Sequence, residues 1–135
     1  MPYLGPGWGK RALAIMRGDP RVQEALRGVK VRLLTRITDA PPGRYGYLWA
    51  EFDGTGLADA RMGHADDAAL AALEPTLTLE GTYATFAAIQ RGELTERKAF
   101  LAGRLKVKGS RIQALRHMGA LEAVTAALAE IPCET

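Results

Sequence analysis

The period of apolar residues changes between Thr82 and Gly109. Tyr83, Phe86 and Ile89 recur every three positions behind Thr82, a good helix cap, and Gly92 is a good helix stop, so this spacing predicts a helix from Tyr83 to Arg91. Thr95 then caps a shorter helical turn carrying Phe100 and Leu101. After Gly103, Leu105 and Val107 alternate with Arg104, Lys106 and Lys108, the period-two pattern of a strand with one buried face.

The same two periods divide the rest of the chain. Trp8, Ala12 and Ile15 share one side of a helix that Gly18 stops, and Asp19-Pro20 starts a second helix bearing Val22, Ala25 and Leu26. From Val29 to Thr38 the pattern alternates, with Val29, Val31, Leu33 and Ile37 opposite Lys30, Arg32 and Arg36. A strand follows from that alternation, and Asp39-Ala-Pro-Pro-Gly43 breaks it. Tyr45 to Phe52 is extended and apolar on both faces. Asp53-Gly54-Thr55-Gly56 is turn chemistry, so Leu57 to Met62 is expected to pair back as the third strand of a meander. Asp66 or Asp67 caps a short Ala-rich helix ending near Glu74. Pro75 ends it, and Leu77 and Leu79 mark a fourth strand.

Beyond Ser110, Ile112, Leu115, Met118, Leu121, Val124 or Thr125, Leu128 and Ile131 recur at helical spacing, with Gly119 as a point of bending or division. The expected fold class is therefore α+β: a five-stranded, mainly antiparallel sheet with helices covering one face, in a single domain over residues 1–135.

Composition narrows the function classes. With 135 residues, 47% of them hydrophobic, the chain is long enough to bury a core. It has no apolar run of about 18 residues to span a bilayer, and Met1 to Gly9 lacks the pattern of a secretory signal, so a cytoplasmic protein is expected. Its one cysteine, Cys133, precludes an internal disulfide and a multi-cysteine metal cluster. The net charge of +3 is concentrated: Arg91 to Arg116 holds eight Lys/Arg against Glu93 and Glu96. An ordinary solvated face explains this strip best. Contact of Arg91, Lys98, Arg104, Lys106 and Lys108 with an anionic membrane surface ranks second. Nucleic acid ranks last, because no aromatic residues are interleaved with the cations.

No catalytic or metal-binding constellation emerges. His64-Ala-Asp66-Asp67 reads as a loop histidine before a helix cap, since adjacent ligands without distant partners rarely close a metal site. His117 has no triad partner in sequence, and Glu51 and Asp53 read as solvated acids. Gly5-Pro-Gly7-Trp-Gly9 follows no strand and fits no nucleotide loop. What remains is the apolar inventory of Trp49, Phe52, Phe86, Ile89, Phe100, Leu105, Met118 and Leu121, whose pattern is the same for a packed core and for a cavity wall.

One set of spacings is more specific. Phe86, Ile89-Gln-Arg-Gly92-Glu93-Leu94, Lys98-Ala-Phe100 and Gly103-Arg-Leu105-Lys106-Val107-Lys108-Gly109 resemble the sterol-carrier-protein family of small lipid-binding domains in order and spacing. The Asp19-Pro20 helix and the Leu77-Thr-Leu79 strand also fit. After Gly109 the chain departs from the family's Met-Gly segment and methionine-rich helix, reading Ser110-Arg-Ile112-Gln-Ala-Leu115-Arg-His-Met118.

The resemblance implies an apolar tunnel between sheet and helices that holds a fatty acyl chain, phospholipid or sterol, with no catalytic residues and no cofactor. Phe86, Ile89, Phe100 and Leu105 would flank it, with Trp49, Phe52, Leu77, Met118 and Leu121 as further lipid contacts. The other function class that fits is a scaffold or homodimerisation module acting through apolar surface.

Overall fold

The computed structural model describes residues 1–135. Two helices, α1 (Pro6–Gly18) and α2 (Pro20–Ala25), lead into three strands, β1 (Lys30–Ile37), β2 (Tyr47–Asp53) and β3 (Leu57–Gly63). A short α3 (Asp67–Ala71) precedes β4 (Leu77–Gly81), then α4 (Tyr83–Gln90), α5 (Glu96–Leu101), β5 (Lys106–Gly109) and the long α6 (Arg111–Leu128). The caps are those the sequence suggests. Asp19, Asp66, Thr82, Thr95 and Ser110 each accept a bond from a backbone N–H of the following turn, satisfying a donor that the helix start leaves open.

The five strands form one sheet in the order β3-β2-β1-β4-β5. Between β2 and β3, Asp53 Oδ1 accepts from the Thr55 N–H at 2.9 Å and hydroxyl at 2.7 Å, with Gly54 and Gly56 in left-handed conformations (φ +96 and +150). Three of the four pairings are antiparallel. The exception is β1 with β4, which run parallel with Leu33 opposite Leu77 and Thr35 opposite Leu79. Hairpin turns account only for the meander; β4 returns through α3 to the free edge of β1, and such a crossover sets the strand parallel.

The α3 crossover also departs from coverage of one face alone. Leu70 of α3 packs with Leu34 and Trp49, a small buried cluster of its own. By strand alternation these residues lie opposite Leu33, Leu48 and Ala50, whose face carries the other helices.

On that main face α1 approaches very closely. A side-chain carbon at Gly9 would stand 2.8 Å from Tyr45 Cε2 and 2.9 Å from Met62 Sδ, so glycine is what lets the helix lie down on β3. The amino-terminal turn is folded under as well: Tyr3 and Leu4 are buried, and the Leu4 carbonyl accepts from the Tyr45 N–H at 2.7 Å.

The helix α6 is unbroken through Gly119, and its inward stripe follows the apolar pattern at Met118, Leu121 and Val124 but departs from it in the first turns. Ala114, Met118, Leu121, Val124 and Ala127 are buried, whereas Ile112 is 72% exposed and Leu115 54%. Alanine at 114 and 127 allows close helix packing, so the smaller side chains turn inward and two large ones face water.

Candidate functional site

Buried side chains on the main face fall into two clusters. One gathers around Val22, Leu26, Val31, Phe52 and Leu77, the other around Tyr3, Trp8, Phe86, Ile89 and Leu105. Between them lies a partly enclosed cavity of about 130 Å³ with residues of both clusters in its wall. Leu33, Leu48, Ala50 and Phe52 form much of its floor, with Ala60 and Met62 of β3 and Leu79 of β4. The walls come from α1 (Trp8, Ala12, Met16), α4 (Phe86, Ile89) and α6 (Leu121, Val124, Leu128), with Tyr3 at the amino-terminal end.

Of the 21 lining residues 17 are hydrophobic; the others are Thr35, Gln90, Glu96 and Thr125. Glu96 is the first helical residue of α5 and is only 7% exposed. It is held there from α6. Thr125 donates its hydroxyl to Glu96 Oε1, and Glu122, one turn earlier, accepts from the Arg97 backbone N–H at 3.1 Å. Burial pushes the Glu96 carboxyl above its ordinary range, partly opposed by the Thr125 bond. The Gln90 amide donates to the carbonyl of Leu128, the last residue of α6, at 3.1 Å and to that of Ile131 just beyond it at 3.5 Å.

The expected site residues divide. Phe52, Phe86, Ile89 and Leu121 line the cavity. Trp49, on the strand that floors the cavity, is also among its lining residues, but its ring packs against Leu34 and Leu70 on the far face, under the Arg32 guanidinium at 5.7 Å, because alternation turns it away from Leu48 and Ala50. Leu77, Leu105 and Met118 are buried without bordering the cavity: Leu77 and Leu105 fill the flanking clusters, and Met118 is wholly enclosed on α6. Phe100 is half-buried on α5, outside the cavity wall.

The α1 wall and the polar residues were missed. Trp8, Ala12 and Met16 do recur at four-residue spacing, a legible stripe. Nothing in the sequence distinguishes Glu96 from the solvent-facing acid that a first helical turn usually carries.

The basic strip is partly neutralised. Arg91 pairs with Glu93 at 3.0 Å and Lys108 with Glu80 at 3.2 Å, while Lys98, Arg104 and Lys106 have no ion pair. Arg104 and Lys106 border a separate, wholly polar cleft with Thr82 and Thr85 at the start of α4. No three His, Cys, Asp or Glu side chains come together as a metal-binding group. No helix is long and apolar enough to cross a membrane.

This fold is shared with known structures. The crystal structure of sterol carrier protein 2 superposes with a TM-score of 0.72 at 16% identity, covering 93% of this chain and 96% of that one. A conserved hypothetical protein from Thermus thermophilus, described as possibly a sterol carrier protein, gives 0.74 at 16% identity over 99% and 92% of the two chains. At the level of sequence, the model of the SCP-2 sterol transfer family matches residues 13–122. The chain belongs to that family. A like fold also occurs as part of a longer enzyme chain: a sec-alkyl sulfatase matches 87% of this chain with only 16% of its own length, at a TM-score of 0.57 and 17% identity. A search of curated proteins finds no match. The cavity lies between the sheet and the helices.

Proposed function

We propose that this protein binds, and passes on, an apolar ligand such as a fatty acyl chain, phospholipid or sterol, without catalysing a reaction, and that the whole chain acts as one binding domain in the cytoplasm. The observation that carries this reading is the partly enclosed cavity whose wall is apolar at 17 of 21 positions. Burying a ligand there is favourable by about 25 cal/mol per Å² of apolar surface, before ordering costs.

Size adds a condition. A cavity of about 130 Å³ is close to the roughly 150 Å³ that holds one benzene, and below the roughly 300–1,000 Å³ of ordinary ligand sites. A full acyl chain therefore requires the helical layer to shift outward. Phe86 and Leu121 stand in that layer. Displacement of a fluorescent fatty acid, or native mass spectrometry of gently purified protein, tests the reading. Absence of any bound or displaceable lipid at micromolar protein would refute it, and Phe86→Asp should abolish binding.

A second reading is contact through apolar surface, favoured by the exposure of Leu101, Ile112 and Leu115. A protein partner or a second copy would cover these residues. The unpaired Lys98, Arg104 and Lys106 suit instead a transient approach to an anionic membrane. A concentration-dependent dimer in sedimentation supports the first partner, and salt-sensitive binding to anionic vesicles the second.

A further inference from the structure

The cavity is mainly apolar, but polar groups are part of its wall. Trp8 lines it at 2% exposure, and its indole N–H has no hydrogen-bond partner. A buried donor left unpaired is costly, and a ligand acceptor would remove that cost. Glu96 and Thr125 line the same cavity, bonded to one another. The Gln90 amide is already committed to two carbonyls of the chain.

Tyr3 lines the cavity as well, and its ring meets that of Trp8 edge to face at 5.1 Å. No Lys, Arg or His is present anywhere in the wall. A ligand carboxylate drawn inside would find no cation to pair with and an acidic residue beside it, the unfavourable case for a buried charge. A hydroxyl has the opposite match, since it offers an acceptor to Trp8 and a donor to the Glu96 carboxyl.

Resting on the reading of the cavity as a ligand site, we propose that it takes the uncharged hydrogen-bonding end of its ligand, a hydroxyl or carbonyl on an apolar body. Trp8, Glu96 and Thr125 select that end against a carboxylate. The polar group enters the cavity, and the apolar body follows the floor made by Leu48, Ala50 and Phe52.

Three probes of one chain length separate the possibilities: decane, decanol and decanoate, each competing at neutral pH with an uncharged fluorescent apolar probe. Decanol should displace the probe at a concentration about tenfold lower than decane does, although decane is the more hydrophobic, because only decanol gains the hydrogen bonds. Decanoate should be the weakest of the three. Trp8→Phe should erase most of the advantage of decanol over decane, and Glu96→Gln should improve decanoate about tenfold while changing decane little. Should Trp8→Phe fail to fold, Thr125→Val reads the same comparison of decanol with decane. If none of the three displaces the probe, the ligand-site reading itself falls. If they do bind but decane is tightest, or decanoate is indifferent to Glu96→Gln, the cavity is a ligand site without the selectivity proposed.

Discussion

Thr125, on the inner side of α6, donates its hydroxyl to the carboxyl of Glu96 at the first turn of α5, and both side chains face the apolar cavity. The bond performs two tasks. It satisfies an acid that is only 7% exposed, and with Glu122 accepting from Arg97 N–H it fastens α5 to α6 through residues one turn apart.

Stability should depend on pH through Glu96. Burial raises its folded-state pKa above the ordinary value of 4.5, so above that value the folded chain holds a proton that the unfolded chain releases. A raised carboxyl makes stability greatest at low pH and reduces it as pH climbs through the folded-state value. Urea unfolding of wild type and Glu96→Gln across this range isolates the effect from other groups. The stability of Glu96→Gln relative to wild type should rise with pH above about 4.5 and then level off. A difference that stays flat would show that the carboxyl is not desolvated.

Filling the cavity should separate binding from folding. Ala50 lies on its floor and is buried in the middle of β2. Ala50→Leu adds three carbons toward the open space, so stability should fall by no more than the roughly 1–3 kcal/mol that added bulk in a core costs. Displacement of a fluorescent apolar probe should weaken about tenfold or more. Unchanged binding in a folded Ala50→Leu protein would place the ligand elsewhere.

Much of this architecture is legible in the sequence, because caps and glycine stops are local chemistry. Asp19, Thr82, Thr95 and Ser110 start their helices in the structure as they do on the page. Alternation likewise separates the faces of β1. Other facts are not legible. The parallel pairing of β1 with β4 depends on where a crossover returns, which no local pattern encodes. The burial of Glu96 depends on a threonine 29 residues later in the chain. Trp49 shows a third limit, since a strand apolar on both faces does not say which face meets the helices.

The glycines around the β4–β5 edge should differ sharply in their tolerance of alanine. At Gly92 and Gly103 the backbone is left-handed (φ +77 at each) but the space is open, so Ala should cost only the conformational penalty of about 1–2 kcal/mol. At Gly81 an added carbon would meet Leu105 Cδ2 at 2.9 Å and Phe86 Cε2 at 3.3 Å, which disturbs two side chains of one core cluster. Gly109→Ala should be the most severe of the four. There φ is +104 and the new carbon would lie 2.5 Å from the Thr76 carbonyl oxygen, which is backbone and cannot step aside. Chemical denaturation of the four variants gives the order, and a Gly109→Ala protein as stable as Gly92→Ala would contradict this account of the β4–β5 edge.

The inward face of α6 can be settled by a pair of substitutions. An apolar stripe through Ile112 and Leu115 predicts that both stabilise the core, whereas the structure leaves them in water and encloses Met118 completely. Met118→Ala should therefore cost about 2–5 kcal/mol, the price of a cavity in close packing. Leu115→Ser should stay within about 0.5 kcal/mol, as exposed positions away from special contacts do. The comparison also bears on function. If Leu115→Ser leaves stability untouched yet abolishes a dimer seen in sedimentation, the exposed residues of α6 serve an interface. If it changes neither, the apolar work of this helix is confined to the side that carries Leu121 and Val124 toward the cavity.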